Sequence, residues 1–192
     1  MSKVVFDASM SLDGFTTAAN RRPEEPMGDG GLRLVDWAVG EDERSRAYLE
    51  GAVGGLGAVI AGRVTYDTSV PWWGPNGPSG PARRPVFVVT HEPPSESPEN
   101  GVYAFVTDGI ESALQQARAA AGDNTVTVMG GANLGRQYLA AGLVDEVSIH
   151  LVPVLFGSGL RLFEEVSEHV QLELADVIDT PTAVHLRYRV TG

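Results

Sequence analysis

The 192-residue sequence contains no cysteine. That absence removes disulfides, thiolate catalysis, Cys-ligated zinc and iron–sulfur clusters. Histidine is scarce: His91, His150, His169 and His185 are scattered, with no spacing that suits a metal. Positive charge is short as well, with 14 Lys and Arg against 25 Asp and Glu and a net charge of −11. A binder of nucleic-acid backbone needs a basic footprint, so nucleic acid is not an expected partner. Any phosphate must be held at a local site built from backbone amides and one or two Arg. Long apolar runs are missing too. The longest, Gly51 to Gly62, is glycine-rich and too short to span a bilayer. The N-terminus turns polar after Val4-Val5-Phe6, which leaves no signal-peptide apolar region. The expectation is a soluble, cytoplasmic protein with no membrane partner and no metal.

What is present is a globular balance, 43% hydrophobic and 20% charged, in a length that suits one domain over 1–192. Val4 to Ser9 reads as a buried strand and Asp13-Gly14 as a turn. Residues 18–31 read as a long polar loop, and a weak helix pattern from Leu34 to Val53 is interrupted by Gly40. A short apolar run, Leu56 to Ala61, precedes Gly62-Arg63 opening a helix, and the proline-rich stretch 70–85 reads as a loop. Pro85 to Thr90 and Val102 to Phe105 read as strands. Asp108 and Glu111 suggest a capping box before a helix ended by Gly122. Then come a strand Thr125 to Met129, a turn at Gly130-Gly131, a helix Asn133 to Ala141 and a long strand Val144 to Leu155. Strands near 170–178 and 182–190 close the chain as an antiparallel hairpin. This order argues for an α/β fold, a mixed sheet with helices on both faces.

Two strand-to-helix turns suit an anion. Val59 to Tyr66 delivers Gly62 to a helix start, where free N–H groups and the helix dipole favour phosphate, with Arg63 and Thr65 adding donors. Met129-Gly130-Gly131-Ala132-Asn133 repeats the arrangement, its bare glycines allowing close approach of a ligand. Either turn could be structural; together they favour a dinucleotide, although neither is the Gly-x-Gly-x-x-Gly fingerprint. Thr90 and His91, after a strand, suit an adenosine ribose or its 2′-phosphate, with Glu92 an awkward neighbour for the latter. Candidate reacting groups are Asp7, which interrupts an apolar strand, His150 in another, and Asp36, which could equally cap a helix. Trp37, after Asp36, and Tyr66, after Thr65, are candidate substrate contacts together with Trp72 and Trp73, which could stack on a flat substrate or pin their loop.

At these residues the sequence resembles the dihydrofolate-reductase-like superfamily, specifically the stand-alone proteins related to the reductase half of the bifunctional riboflavin-synthesis deaminase–reductase. The marks are Ser11-Leu12-Asp13-Gly14, Gly62-Arg63-Val64-Thr65-Tyr66-Asp67, Val86 to Pro94, Met129-Gly130-Gly131-Ala132, Gly142 to Glu146, Val152 to Gly159 and His185-Leu186-Arg187-Tyr188. The resemblance implies a three-layer fold with a mostly parallel sheet of about eight strands and NADPH across its C-terminal edge. It implies Ser9, Phe15 and Thr16 beside the nicotinamide, Gly62, Arg63 and Thr65 at the phosphates, Thr90 and His91 at the adenosine end, and Met129 to Asn133 around the nicotinamide ribose. It further implies Asp7 and His150 in one pocket, and a homodimer, for which the apolar stretch Val147 to Phe156 offers an interface. The sequence departs from riboflavin-pathway reductases at Asp7, where they carry Lys, and at Gly62-Arg63-Val64-Thr65, which is closer to dihydrofolate reductases. Three functions stay open: reduction of an aminouracil-type riboflavin precursor, reduction of a pterin, or nucleotide binding without turnover.

Overall fold

The computed structural model describes residues 2–164 and 169–192. The first strand, β1 (Val4–Ser11), leads into a short strand, β2 (Phe15–Ala18). A 3-10 turn at Gly31–Val35 precedes the one-turn helix α1 (Asp36–Val39) and then α2 (Glu43–Gly55). The single weak helix expected over 34–53 is therefore two. The backbone becomes extended at Gly40 (ψ 172°), and Asp42 restarts the helix by accepting a hydrogen bond from the Ser45 N–H at 2.8 Å.

Next come β3 (Leu56–Gly62), α3 (Arg63–Trp73), β4 (Val86–Val89), β5 (Tyr103–Val106), α4 (Ile110–Ala121) and β6 (Thr125–Met129). The chain ends with α5 (Ala132–Ala140), β7 (Glu146–Val152), β8 (Gly159–Arg161), β9 (Leu172–Asp179) and β10 (Val184–Val190). Helix α3 runs through Pro71, so the first residues of the expected 70–85 loop, including Trp72 and Trp73, are helical. Proline late in a helix removes only one backbone bond, and the helix ends two residues further on. Nor does a capping box start α4. Gly109, at φ 94°, is the N-cap and no side chain caps it.

Eight strands form one sheet in the order β5-β4-β3-β6-β1-β7-β10-β9, and β2 pairs with β8 in a small ribbon that the sequence reading did not anticipate. The six strands from β5 to β7 are parallel and the terminal hairpin is antiparallel, as expected. The run expected from Val144 to Leu155 is β7, ending at Val152. It lies between β1 and β10, paired on both sides, so its apolar character reflects an internal position rather than a subunit interface.

Side-chain alternation splits the sheet into two faces. On one, Phe6, Ala8, Ile60 and Val128 meet Ala113, Leu114 and Ala117 of α4 and Leu134 and Tyr138 of α5. Helix α5 lies so close that a Cβ added to Gly135 would stand 2.0 Å from the Phe6 ring. The other face divides. Val59, Ala61, Val86 and Val88 pack against Tyr66 and Val70 of α3, while Leu34, Trp37 and Val152 pack against Tyr48 and Leu49 of α2. The result is the expected three-layer α/β arrangement. Among the described residues no helix is long and apolar enough to cross a membrane.

Candidate functional site

Strands β3 and β6 are parallel neighbours whose chains leave in opposite directions. From β3 the chain passes through α3 to β4; from β6 it passes through α5 to β7 on the other side. Such a switch point opens a crevice outside the carboxyl ends of the strands. Both helices begin there, at Gly62 and Gly131, and neither has a side-chain cap among the described residues. Their first N–H groups are left for a ligand.

Gly130 and Gly131 both take positive φ, 61° and 59°. A Cβ at Gly130 would meet Thr65 Cγ2 at 3.2 Å, and one at Gly131 would meet Thr65 Oγ1 at 3.1 Å. The two turns singled out in the sequence are thus one cradle, with Thr65 from α3 against the glycines that start α5. Arg63 is half-buried at its rim. Its Nε faces both Asp67 carboxylate oxygens at 2.8 Å, and its Nη1 donates to the Glu92 carbonyl at 2.6 Å. The Thr90 hydroxyl also donates to that carbonyl, so Arg63 and the turn Thr90-His91-Glu92 are tied together. His91 is exposed. Ala132 is buried in the core, and the Asn133 side chain is held by Gln137 on its own helix.

Beside the cradle, register places Met129, Asp7 and Ser148 in one row across β6, β1 and β7, and Ser9 beside His150 in the next. Asp7 Oδ2 and Oδ1 lie 3.1 and 3.2 Å from His150 Nε2. The expected pair therefore forms, but its members are not equivalent: the Asp7 side chain is 24% exposed and that of His150 only 2%. Asp7 touches the cleft and His150 stands behind it. Burial works to raise the Asp7 pKa, but His150, Ser148 and Arg187 outweigh it and hold the carboxyl below its ordinary range.

Trp37 is buried over this row, donating Nε1–H to Ser9 Oγ at 3.0 Å, with its ring 4.1 Å from that of His150. The structure also supplies residues that the sequence reading gave no role. Tyr48 of α2 contacts Ser148 Oγ at 3.2 Å and stacks on His185 at 4.1 Å, and His185 Nδ1 lies 2.9 Å from His150 Nδ1. His185 belongs to the closing motif noted in the sequence, but only the β10–β7 register brings it opposite His150.

Other expected residues lie elsewhere. Asp36 is exposed on the first turn of α1 while its neighbour Trp37 turns inward. Phe15 and Thr16 are buried in the β2 ribbon, with the Arg161 guanidinium 4.6 Å over the Phe15 ring. Tyr66 is buried against Tyr103 and Phe105 on the α3 side. Trp72 is 76% exposed and Trp73 half-buried at the far end of α3, roughly 14 Å along the axis from Arg63 at 1.5 Å per residue. The apolar face of α3 takes Tyr66 into the core, and the length of the helix carries the two tryptophans away from the cleft.

Comparison with known proteins agrees with this architecture. The family described as the RibD C-terminal domain matches residues 2–186. The protein YwjB of Bacillus subtilis (strain 168) is 27% identical over 186 residues, covering 97% of both chains. Among solved structures, RibD of Acinetobacter baumannii is 18% identical with a TM-score of 0.68, over all of this chain and 59% of that one. Dihydrofolate reductase of Enterococcus faecalis, solved with NADP(H), is 15% identical with a TM-score of 0.57, over 99% of this chain and 97% of that one. At these identities the solved structures speak for the fold, which is dihydrofolate-reductase-like.

Proposed function

Because the chain belongs to the family of RibD C-terminal domains, we propose that it is a reductase that binds NADPH along the C-terminal edge of the sheet. Its substrate would be a flat nitrogen heterocycle or the carbonyl or imine of a ribityl precursor. Reduction of 5-amino-6-(5-phosphoribosylamino)uracil is the nearest named activity. The observation that carries the reading is the cradle between Thr65 and the Gly130–Gly131 turn, which side chains on either glycine would fill. Two uncapped helix starts opening onto it suit a pyrophosphate.

When bound, the dinucleotide supplies the hydride. Gly62, Arg63 and Thr65 hold its phosphates from one side and Met129 to Asn133 from the other, with Thr90 and His91 at the adenosine end. Asp7 presents the polar group at the reacting end, His150 supports it from behind, and Trp37 and Ser9 form the adjoining wall. A pterin-type substrate is the second reading. It is favoured by an ionised carboxylate, Asp7, standing on the first strand at the cleft, since such a group pairs with N–H donors rather than with an anionic substrate. For the assembly we propose a homodimer that pairs along β9, the edge strand of the sheet on which Leu172, Leu174 and Val177 are exposed.

Calorimetric titration with NADPH tests the reading. Arg63→Ala should weaken binding by about 1–3 kcal/mol, the scale of a charge-assisted bond lost at a phosphate. Wild-type protein that binds no NADPH would end the proposal. Binding without NADPH oxidation by any member of a panel of pyrimidine, pterin and flavin-precursor substrates would favour nucleotide binding without turnover.

A further inference from the structure

The polar face holds one buried group that the reading above does not use. His185 of β10 is opposite His150 of β7 in the antiparallel register, and the two Nδ1 atoms are 2.9 Å apart. Two like nitrogens at that distance form a hydrogen bond only if one ring donates and the other accepts, so the tautomers of the two rings are tied. His150 Nε2 is committed as a donor, because it faces both oxygens of the Asp7 carboxylate, which only accepts. With His150 neutral, its Nδ1 is a bare lone pair and His185 must donate Nδ1–H to it. His185 Nε2 is then also a bare lone pair, and it is buried with no hydrogen-bond partner among the described residues.

Consider one more proton on this unit. His150 can take it only at Nδ1, and that N–H then points at His185 Nδ1. His185 must surrender its own Nδ1 proton, which reappears on Nε2. One proton is added, both rings change their labelling, and no heavy atom has to leave its place.

We propose that Asp7, His150 and His185 form one proton-carrying unit in which His185 is a positioning residue. His185 fixes His150 with Nε2–H aimed at Asp7 and, by switching its own tautomer, allows His150 to hold a second proton. The use of that proton rests on the reductase reading, in which a substrate that accepts a hydride also takes up one proton. In the loaded unit Asp7 is a carboxylate, His150 an imidazolium and His185 neutral with its proton on Nε2. His150 gives its Nε2 proton to an Asp7 oxygen, and Asp7 passes it to the substrate atom next to the carbon that received the hydride. As the unit empties the tautomer switch reverses, restoring Nε2–H on His150, again donated to Asp7, and Nδ1–H on His185. Asp7 refills it from solvent, being 24% exposed where the other two side chains are buried.

The charged and titratable groups around the pair are Asp7 on β1, Arg187 on β10, which acts on Asp7 and Tyr48, and Tyr48 and Asp42 on and before α2. Burial, more than any neighbour, disfavours a charge on His185 and pushes its pKa down to about 4, consistent with a ring that passes a proton without keeping it.

The test needs neither cofactor nor substrate. Protein labelled with 15N-histidine is titrated, and long-range proton–nitrogen correlations read which nitrogen of each ring is protonated. Above the step, His150 should show Nε2–H and His185 Nδ1–H. Through the step, His150 should gain its second proton as the His185 proton moves to Nε2, at one shared midpoint. In His185→Phe, which offers neither donor nor acceptor, the His150 step should fall to lower pH, because the bond lost is stronger when an imidazolium donates it than when a neutral ring accepts it. His185→Asn, whose amide can rotate to accept, should stay nearer to wild type. Separate midpoints for the two wild-type rings, or a His185 proton that stays on Nδ1 while His150 charges, would overturn the proposal whether or not either variant folds. An absence of NADPH binding would leave this result standing and remove only its catalytic use.

Discussion

Gly135 permits a sharp test of how α5 is seated, because the position gives opposite answers at two levels. In an isolated helix, Gly135→Ala should stabilise by about 1 kcal/mol through propensity alone. In this fold the new methyl carbon would lie 2.0, 2.1 and 2.6 Å from three carbons of the Phe6 ring, itself fully buried in β1. Ordinary carbon contacts are about 3.5–4.0 Å, so ring and helix must part by about 1.5 Å. Phe6 is held by α5 and has the Phe163 ring edge-on at 6.3 Å, so α5 has to shift. Overlap of that size stands at the upper end of the overpacking range, about 2–3 kcal/mol, which exceeds the propensity gain. The net expectation is a loss of about 1–2 kcal/mol, seen as a Tm lower by roughly 2–8 °C for a chain of this length. Because α5 begins at the Gly131 cradle, NADPH binding should weaken together with stability. Differential scanning calorimetry of Gly135→Ala, Phe6→Leu and the double variant reads this directly. The double variant should recover part of the loss, as coupled neighbours do. A Gly135→Ala protein as stable as wild type, or strictly additive losses in the double variant, would refute the packing argument.

Other outcomes follow from the same geometry. The folded-state pKa of His185, about 4, lies below its ordinary 6.5, so the unfolded chain binds more protons between those values. Stability should therefore fall as pH drops from 6.5 to 4, by about 3 kcal/mol in all at 1.36 kcal/mol per unit. Urea denaturation across that range should show a flatter slope in His185→Phe, and an identical slope would contradict the assignment. Trp37→Phe keeps a ring against His150 but loses the bond to Ser9, which should cost about 1 kcal/mol, read as a Tm lower by roughly 2–4 °C; an unchanged Tm would mean that the bond contributes nothing. Light scattering should give twice the 20.4 kDa chain mass, and Leu174→Arg on β9 should restore the single mass. A wild-type monomer would refute the edge pairing.

The central strands β3 and β4 were legible because they are buried on both faces and read as short continuous apolar runs. The anion turns were legible because glycine after such a run has few other uses. What escaped had local sequence pointing the wrong way. Trp72 and Trp73 follow a proline, a signal for loop, yet α3 absorbs that proline near its end. Asp108 and Glu111 spell a capping box that Gly109 pre-empts. The ribbon of β2 and β8 is too short to show a period. The polar cluster was half visible, since Asp7 and His150 each break an apolar strand. His185 and Tyr48 could not be added from spacing, because they join through strand register and helix packing across more than 30 residues.

The central place of β1 has a consequence for the order of events during synthesis. Its two partners are β6 and β7, so Val4 pairs with Val126 and Ser11 with Val152. At about 5–20 residues per second, roughly 10 s separate the appearance of β1 from that of its neighbours. Through that interval Val4, Val5 and Phe6 have no sheet to enter, and the middle of the sheet cannot close until β6 and β7 emerge. The fold is thus built from contacts of high sequence separation, which makes a slow folder. In a pulse-labelled translation series, protease resistance should arise late and abruptly, only once β7 has cleared the ribosome.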